Sequence, residues 1–426
     1  MTIISNPSKD TWASLLKRPE MEAGTLHQQV GQVLERVREE GDAALFAYTE
    51  QFDGIKLDTL AVASQEFEEA EQQLDESLKT AIQAAYQNIH RFHIAQKIKE
   101  DRIETMPGVW CWRRSVAIDK VGLYVPGGNA PLFSTVLMLA VPARIAGCNE
   151  IILCTPPQKN GRVHPAVLFA ASVAGISKVY RIGGAQAIAA MAYGTASVPA
   201  VYKIFGPGNQ YVNCAKIMVQ SGVAIDMPAG PSEVCVLADE TASAAYVAAD
   251  LLSQAEHGAD SQVLLVTTSQ ELANNVIVEV EKQLEDLGRK SFATGALNRS
   301  RVIVMDSLEE AIGIVNEYAA EHLIIAMDKF EFIADRITNA GSVFLGHYSP
   351  ESVGDYASGT NHTLPTNGAA RAYSGVSVDS FVKKITYQQL TKDGLKMIGR
   401  TVEVMARAEG LDAHANAVNI RLNETR

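Results

Sequence analysis

Apolar spacing divides the chain into two textures. Over the first hundred residues apolar side chains recur at helical intervals. Val30, Val33, Leu34 and Val37 form one stripe, which Gly41-Asp42 breaks. Phe67, Ala70, Leu74, Leu78, Ile82, Ala85, Ile89 and Phe92 form a longer one. Spacing of three and four places such residues on one helix face, and the polar remainder predicts surface helices packed on something larger.

From Val116 short apolar runs alternate with helical ones. Val121–Val125, Glu150–Cys154, Lys178–Ile182 and Val201–Phe205 read as strands, and Phe133–Ala146, Pro165–Ala174 and Ala185–Ala192 as helices. The βαβαβ order implies a parallel sheet covered by helices. A second series follows the turn Met227–Ser232. Its strands are Val234–Ala238, Gln262–Thr267, Arg301–Met305, Leu323–Met327 and Ser342–Leu345. Its helices are Ala242–His257, Glu271–Leu287, Leu308–Tyr318 and Phe330–Thr338. Two α/β units therefore stand in tandem, with a boundary near Asp226–Ser232. Gly346–Gly375 is polar and glycine-rich, and the last fifty residues read as one or two helices and a tail.

Length and composition narrow the picture. A chain of 426 residues predicts two or three domains, and 47% hydrophobic residues supply an ample core. The formal net charge of -12 argues against nucleic acid as a partner. Five cysteines without C-x-x-C spacing read as reduced thiols. The first residues lack a basic stretch followed by an apolar one, and the best apolar run, Leu132–Val141, is about half a membrane span. The expectation is a soluble cytoplasmic protein with no membrane partner.

Candidate chemistry clusters at the ends of these elements. Pro126-Gly127-Gly128, Gly183-Gly184 and Gly206-Pro207-Gly208-Asn209 each join a predicted strand to a helix. Ligands of open α/β sheets bind at such strand ends, and glycines let the backbone approach a phosphate. One glycine turn alone merely turns the chain, and the G-x-G-x-x-G fingerprint is absent. Tyr124, Gln186 and Asn209 flank the three turns and could together hold a nucleotide. Ser232 and Glu233 follow a proline-rigid turn at the junction of the two units, a common place for a small-molecule site.

Other polar residues point to a metal and to proton transfer. Gln254 and His257 lie three apart near a helix end, with Gly258 as a candidate cap. The loop Gly354–His362 offers Asp355 and His362, and the C-terminal region offers Glu409 and His414. Gln254, His257, Asp355 and His414 would give one amide oxygen, two imidazoles and one carboxylate. That set suits zinc and tolerates manganese or cobalt. Glu321-His322 is an acid–base pair, but neighbours on a regular strand face opposite ways. Both can serve one site only if the strand begins after them. His90 and His93 have ligand spacing on a helix with nothing local to complete a site. Spacing does not show that any of these residues meet, and each motif has an ordinary reading as cap, turn or polar surface.

In these motifs, taken in order, the chain resembles the histidinol dehydrogenase family over essentially its whole length. The resemblance is carried by Gly122–Gly128, Gly183–Ala187, Phe205–Asn209, Asp226–Glu233, Leu252–Gly258, Glu321–Leu323, Gly354–His362 and Glu409 to His414. It implies a zinc-dependent oxidoreductase that converts L-histidinol through L-histidinal to L-histidine, the last step of histidine biosynthesis, using two NAD and one water. It implies a homodimer with shared active sites and one zinc per subunit. Gln254, His257 and Asp355 would ligate zinc from one chain and His414 from the other. Ser232, His322 and Glu409 would contact substrate alongside the zinc ligands. Tyr124, Gln186 and Asn209 would line the NAD site, and Glu321 and His322 would be catalytic.

The implied fold is α/β, with two tandem incomplete Rossmann-like domains (parallel sheet, helices on both faces) and small helical terminal arms. The expected boundaries are an arm over 1–20, a first α/β domain from 21–120 and 233–376, a second over 121–232, and a C-terminal arm over 377–426 reaching the partner. Ala320 stands where many members carry proline, which should slightly loosen the approach to the strand. Two alternatives remain open: a same-fold dehydrogenase of another small polar diol or amino alcohol, and a non-catalytic metal- or nucleotide-binding sensor. Glu409 and His414 favour histidinol over other diols, and a sensor would have no need of Glu321 and His322.

Overall fold

A computed structural model of the chain describes residues 1–18, 23–127 and 131–423. Gly128, in the first glycine turn, lies outside the described residues. In chain order the strands are β1 (Thr2–Ser5), β2 (Ile103–Met106), β3 (Val109–Ala117), β4 (Lys120–Tyr124), β5 (Glu150–Thr155), β6 (Lys178–Arg181) and β7 (Lys203–Phe205). They continue with β8 (Ala224–Ile225), β9 (Glu233–Ala238), β10 (Gln262–Thr267), β11 (Arg301–Val304), β12 (His322–Ala326), β13 (Ser342–Leu345) and β14 (Val382–Leu390). One parallel sheet has the order β1-β11-β10-β9-β12-β13. A second has the order β6-β5-β4-β7-β8. The predicted α/β class with helix-flanked parallel sheets is what forms. No described helix is long and apolar enough to cross a membrane.

Continuous apolar runs make this legible. Every residue of β9 and of β10 is buried, as expected of strands covered on both faces. Phe133–Ala146 forms as predicted, and its residues from Ser134 to Ala143 are all buried. It can be apolar all round because Glu76–Ile94 and Pro165–Val173 pack against it.

The packing divides the chain differently from the expected boundaries. Residues 2–5 are not a free arm, since β1 pairs with β11 at the edge of the six-stranded sheet. Trp12 and Leu16 pack on the six-stranded sheet, but the helices between residues 23 and 94 cover the five-stranded one. Val30, Leu34, Val37 and Leu45 share a core with Ile188, Met191 and Val212. Ile82, Ala85 and Ile89 join the core around Val136 and Leu139. Apolar stripes show that a helix packs and not on what.

The C-terminal region also differs from its helical reading. β14 pairs antiparallel with β3 from Val382↔Ala117 to Leu390↔Val109, with β2 on the far side of β3. No residue of β14 is buried, so no side is apolar enough to write alternation into the sequence. The helices Lys392–Ala408 and Asp412–Asn423 follow.

A buried ion pair fixes the edge of the five-stranded sheet. Lys216 Nζ lies 2.5 Å from Asp226 Oδ1, both side chains being almost fully buried. Lys216 also donates to the Gly206 carbonyl at 2.8 Å, and Asp226 Oδ2 accepts from Gly206 N at 2.8 Å. The pair thus grips both polar groups of Gly206, whose φ of 124° and contact with the Tyr124 carbonyl exclude a side chain. Lys216→Met should cost about 3–5 kcal/mol by stranding Asp226. Adding Asp226→Asn should recover part of the loss. Urea unfolding of the two variants checks this; an unchanged midpoint in Lys216→Met would remove the pair from any structural role.

Candidate active site

The site lies where the two sheets present opposite ends. The five-stranded sheet offers the carboxyl ends of its strands, and the six-stranded sheet offers the amino ends of β9 and β12. The helix Leu308–Tyr318 stops at Ala319, which is left-handed with a φ of 52°. This turn and buried Ala320 deliver Glu321 just before β12, which starts at His322. Glu321 therefore escapes strand alternation, and it shares one cavity with His322.

The backbone of Glu233 holds both residues. Its N–H donates to Glu321 Oε2 at 2.9 Å, and its carbonyl accepts from His322 Nδ1 at 3.2 Å. His322 Nε2 lies 3.2 Å from Asp355 Oδ1. Both ring nitrogens thus face acceptors, which calls for a protonated imidazole. Burial opposes that charge, but Glu321 and then Asp355 hold the proton, so the pKa rises to about 10. Burial pushes Glu321 up to about 8 against the pull of His322. Burial would also raise Asp355, but the His322 contact keeps it below the usual carboxylate range.

Gln254 sits in the last turn of the helix Ala244–Ala255, and His257 follows the cap residue Glu256. The helix ends two residues before the predicted limit, so Gly258 is not its cap. Asp355 lies on the short helix Glu351–Tyr356. His362 Nδ1 donates to the Asp355 carbonyl at 2.8 Å, and Nε2 accepts from Thr135 Oγ1 at 3.1 Å. Burial lowers the pKa of His257 and of His362, so both rings stay neutral.

Gln254, His257, Glu321, His322, Asp355 and Ser232 all line one cavity of about 350 Å³. A larger cavity of about 1050 Å³ is lined by Tyr124, Gln186 and Asn209, beside the turns at Gly127 and Gly183-Gly184. Pro126 and Asn209 line both cavities, which therefore adjoin. Tyr124 OH accepts from Gly184 N at 3.1 Å, and burial pushes its pKa up to about 12. Asn209 caps its helix through Oδ1, accepting from Tyr211 N and Val212 N.

Two predicted residues are not brought in. Glu409 and His414 are exposed on the C-terminal helices and line neither of these cavities. Among the described residues no group of three or more His, Cys, Asp or Glu side chains could hold a metal ion. The chain alone supplies His257, Asp355 and the neutral amide of Gln254 as converging donors. His93 bonds instead to the Ile89 carbonyl and Asn361, a structural role. Buried Glu351 carried no signal in the sequence, because a lone Glu after Pro350 reads as a helix start.

Adjoining cavities at the open ends of parallel strands, with a buried acid–base pair at one end, define an α/β enzyme for a dinucleotide-sized ligand and a small substrate. A family model described as histidinol dehydrogenase matches residues 16–422. The histidinol dehydrogenase of Bacteroides fragilis is 58% identical over 427 residues, covering 100% of both chains. That of Bacteroides thetaiotaomicron is 57% identical, covering 99% of both. The crystal structure of histidinol dehydrogenase from Elizabethkingia anophelis superposes with a TM-score of 0.98 at 53% identity, covering 100% of this chain and 98% of that one. The chain belongs to the histidinol dehydrogenase family.

The Thr135–His362 bond links the helix of one unit to the Asp355 loop of the other. Thr135→Val should leave a buried acceptor without its donor and cost about 1–3 kcal/mol. Thermal unfolding measures it, and an unchanged melting temperature would show that His362 finds another partner.

Proposed function

We propose that the two adjoining cavities divide the work of a four-electron oxidation. The chain is an NAD-dependent oxidoreductase that oxidises histidinol to histidine in histidine biosynthesis. NAD occupies the larger cavity, against Tyr124, Gln186 and Asn209, and its reactive end meets the substrate where the cavities join. One observation carries this reading: Glu321 and His322 are held on the same backbone unit and face the same small cavity.

Zinc fits the donors present. His257 is neutral, Asp355 is anionic, and Gln254 adds an oxygen, which leaves room for a further ligand from His414 of a second copy and for substrate. A zinc ion held by these residues would supply Lewis-acid binding of a small substrate with nitrogen donors, and His257, Asp355 and Gln254 would be the side chains that hold it. Ser232 contacts the substrate from the inter-unit turn, and Glu409 joins it from the second copy.

The proton chemistry follows from the hydrogen bonds. The Glu233 carbonyl holds the Nδ1 proton, so Nε2 is the atom that gains and loses one. Asp355 and Glu321 both favour the protonated ring, and His322 would serve as the base in its neutral form, with Asp355 taken up as a cation ligand. Nε2 takes the hydroxyl proton while hydride leaves for NAD, giving the aldehyde. Glu321 in its ionised form, made more basic by burial, takes a proton from the water that adds to the aldehyde carbon. A second hydride passes from the hydrate to a second NAD while His322 takes the hydroxyl proton, giving the carboxylic acid, which ionises to the carboxylate by losing its proton to solvent. Enclosure keeps the aldehyde bound between the steps.

The C-terminal arm supports a homodimer. Met397, Val404, Met405 and Ile420 on the two C-terminal helices and Leu411 between them are exposed in the same region as Glu409 and His414, and an exposed apolar surface of this kind marks a protein interface. The five free cysteines suit a reducing cytoplasm.

His322→Asn should lower kcat by about 10²–10⁴ with zinc content unchanged; activity near wild type would remove His322 as base. Mixing a His257→Ala chain with a His414→Ala chain should restore activity, because a mixed dimer contains one intact site. Verified mixed dimers that stay inactive would argue against sharing.

A further inference from the structure

Behind Gln254 lies a buried acid that the reaction leaves unused. Glu351 opens the helix Glu351–Tyr356 and is 1% exposed. Its Oε1 accepts from Ser253 Oγ at 2.9 Å. The end of the Gln254 amide that faces Glu351 lies 3.0 and 3.1 Å from its two oxygens, and opposite an ionised carboxylate that end is assigned as the nitrogen, which donates to both. The reverse amide orientation would set a carbonyl oxygen against two carboxylate oxygens. Gln254 is itself 1% exposed and lines the catalytic cavity.

An amide has one donor end and one acceptor end. With its nitrogen committed to Glu351, Gln254 is left with its oxygen for the cavity. That choice matters more for an amide than for the other donors, since it carries no charge to draw a cation and its nitrogen does not bind one. Glu351 also sits one helical turn before Asp355, so a single short helix carries one donor and the group that aims another.

We propose that Glu351 is a positioning residue that aims the Gln254 carbonyl oxygen into the catalytic cavity as a metal donor. This rests on the zinc reading above. It assigns Glu351 the place of an outer partner that orients a ligand, a class whose loss weakens metal binding about 10–100-fold.

The test is zinc affinity of the full-length enzyme, by competition with a chelator. Glu351→Gln preserves shape but adds a donor, which lets the Gln254 amide turn round. Zinc affinity should fall about 10–100-fold, with the melting temperature of the metal-free protein and NAD binding unchanged. The pair Gln254→Glu with Glu351→Gln restores donor to acceptor and keeps the net charge. It should bind zinc at least about tenfold more tightly than Gln254→Glu alone, which carries the same carboxylate at 254 and one more negative charge but no donor behind it, and it serves as the readout if Glu351→Gln does not fold. Gln254→Ala separates the two levels. If it loses zinc while Glu351→Gln binds normally, the positioning role is overturned and the zinc reading stands. If Gln254→Ala also binds normally, both fall. A metal-free Glu351→Gln that melts well below wild type, with no recovery in the pair, would make Glu351 structural and overturn the proposal.

Discussion

The backbone of Glu233 commits both of its polar groups to the acid–base pair, and much of the surrounding structure keeps that one residue still. Its side chain takes two bonds from Arg18, at 2.6 and 2.9 Å, and one from Asn367 N at 2.9 Å. Arg18 also stacks over Tyr318 and donates to its carbonyl. Those contacts join the N-terminal segment, the end of the helix before Glu321 and the loop after β13 at the head of the central strand β9. A buried charge pair with every oxygen partnered has little freedom to move. Catalytic groups hung from a backbone so restrained keep their geometry without flexible side-chain supports.

The two sheets contribute different physics. Carboxyl ends of parallel strands turn into helices, and the glycines there leave room for a backbone to meet an extended ligand. Amino ends of buried strands in the other sheet bring polar side chains together at the edge of a dry core. Burial shifts Glu321 toward neutrality, and His322 and Asp355 offset one another's desolvation. The larger cavity is thus shaped by space and the smaller one by charge.

Much of this could be read in the sequence. Fully buried parallel strands write themselves as unbroken apolar runs, so β4, β5, β9 and β10 were found close to their limits. Gln254, His257, Asp355, Glu321, His322 and Ser232 were singled out by residue type and motif, and the fold brings them to one cavity. What the sequence hid has physical reasons. The pairing of β14 with β3 buries no residue of β14, so no period marks it. The helices before residue 95 show an apolar face but not its address. Glu321 and His322 could share a site only through the left-handed Ala319, a conformation no spacing rule supplies. Glu351 is silent because its meaning lies in an amide nearly a hundred residues away.

For the homodimer proposed above, the ribbon of β3 and β14 would bear on how two copies meet. A tail of this length left free would be a floppy tether, and docking it would require freezing its conformations at the moment of contact. Nine consecutive pairings instead fix the root of the arm within its own chain. That ordering is complete before any partner arrives, so association need only match two preformed surfaces. In the homodimer proposed above, the arm would act as a rigid outrigger, and an exposed ribbon outside the candidate site would help to set how fast two copies assemble.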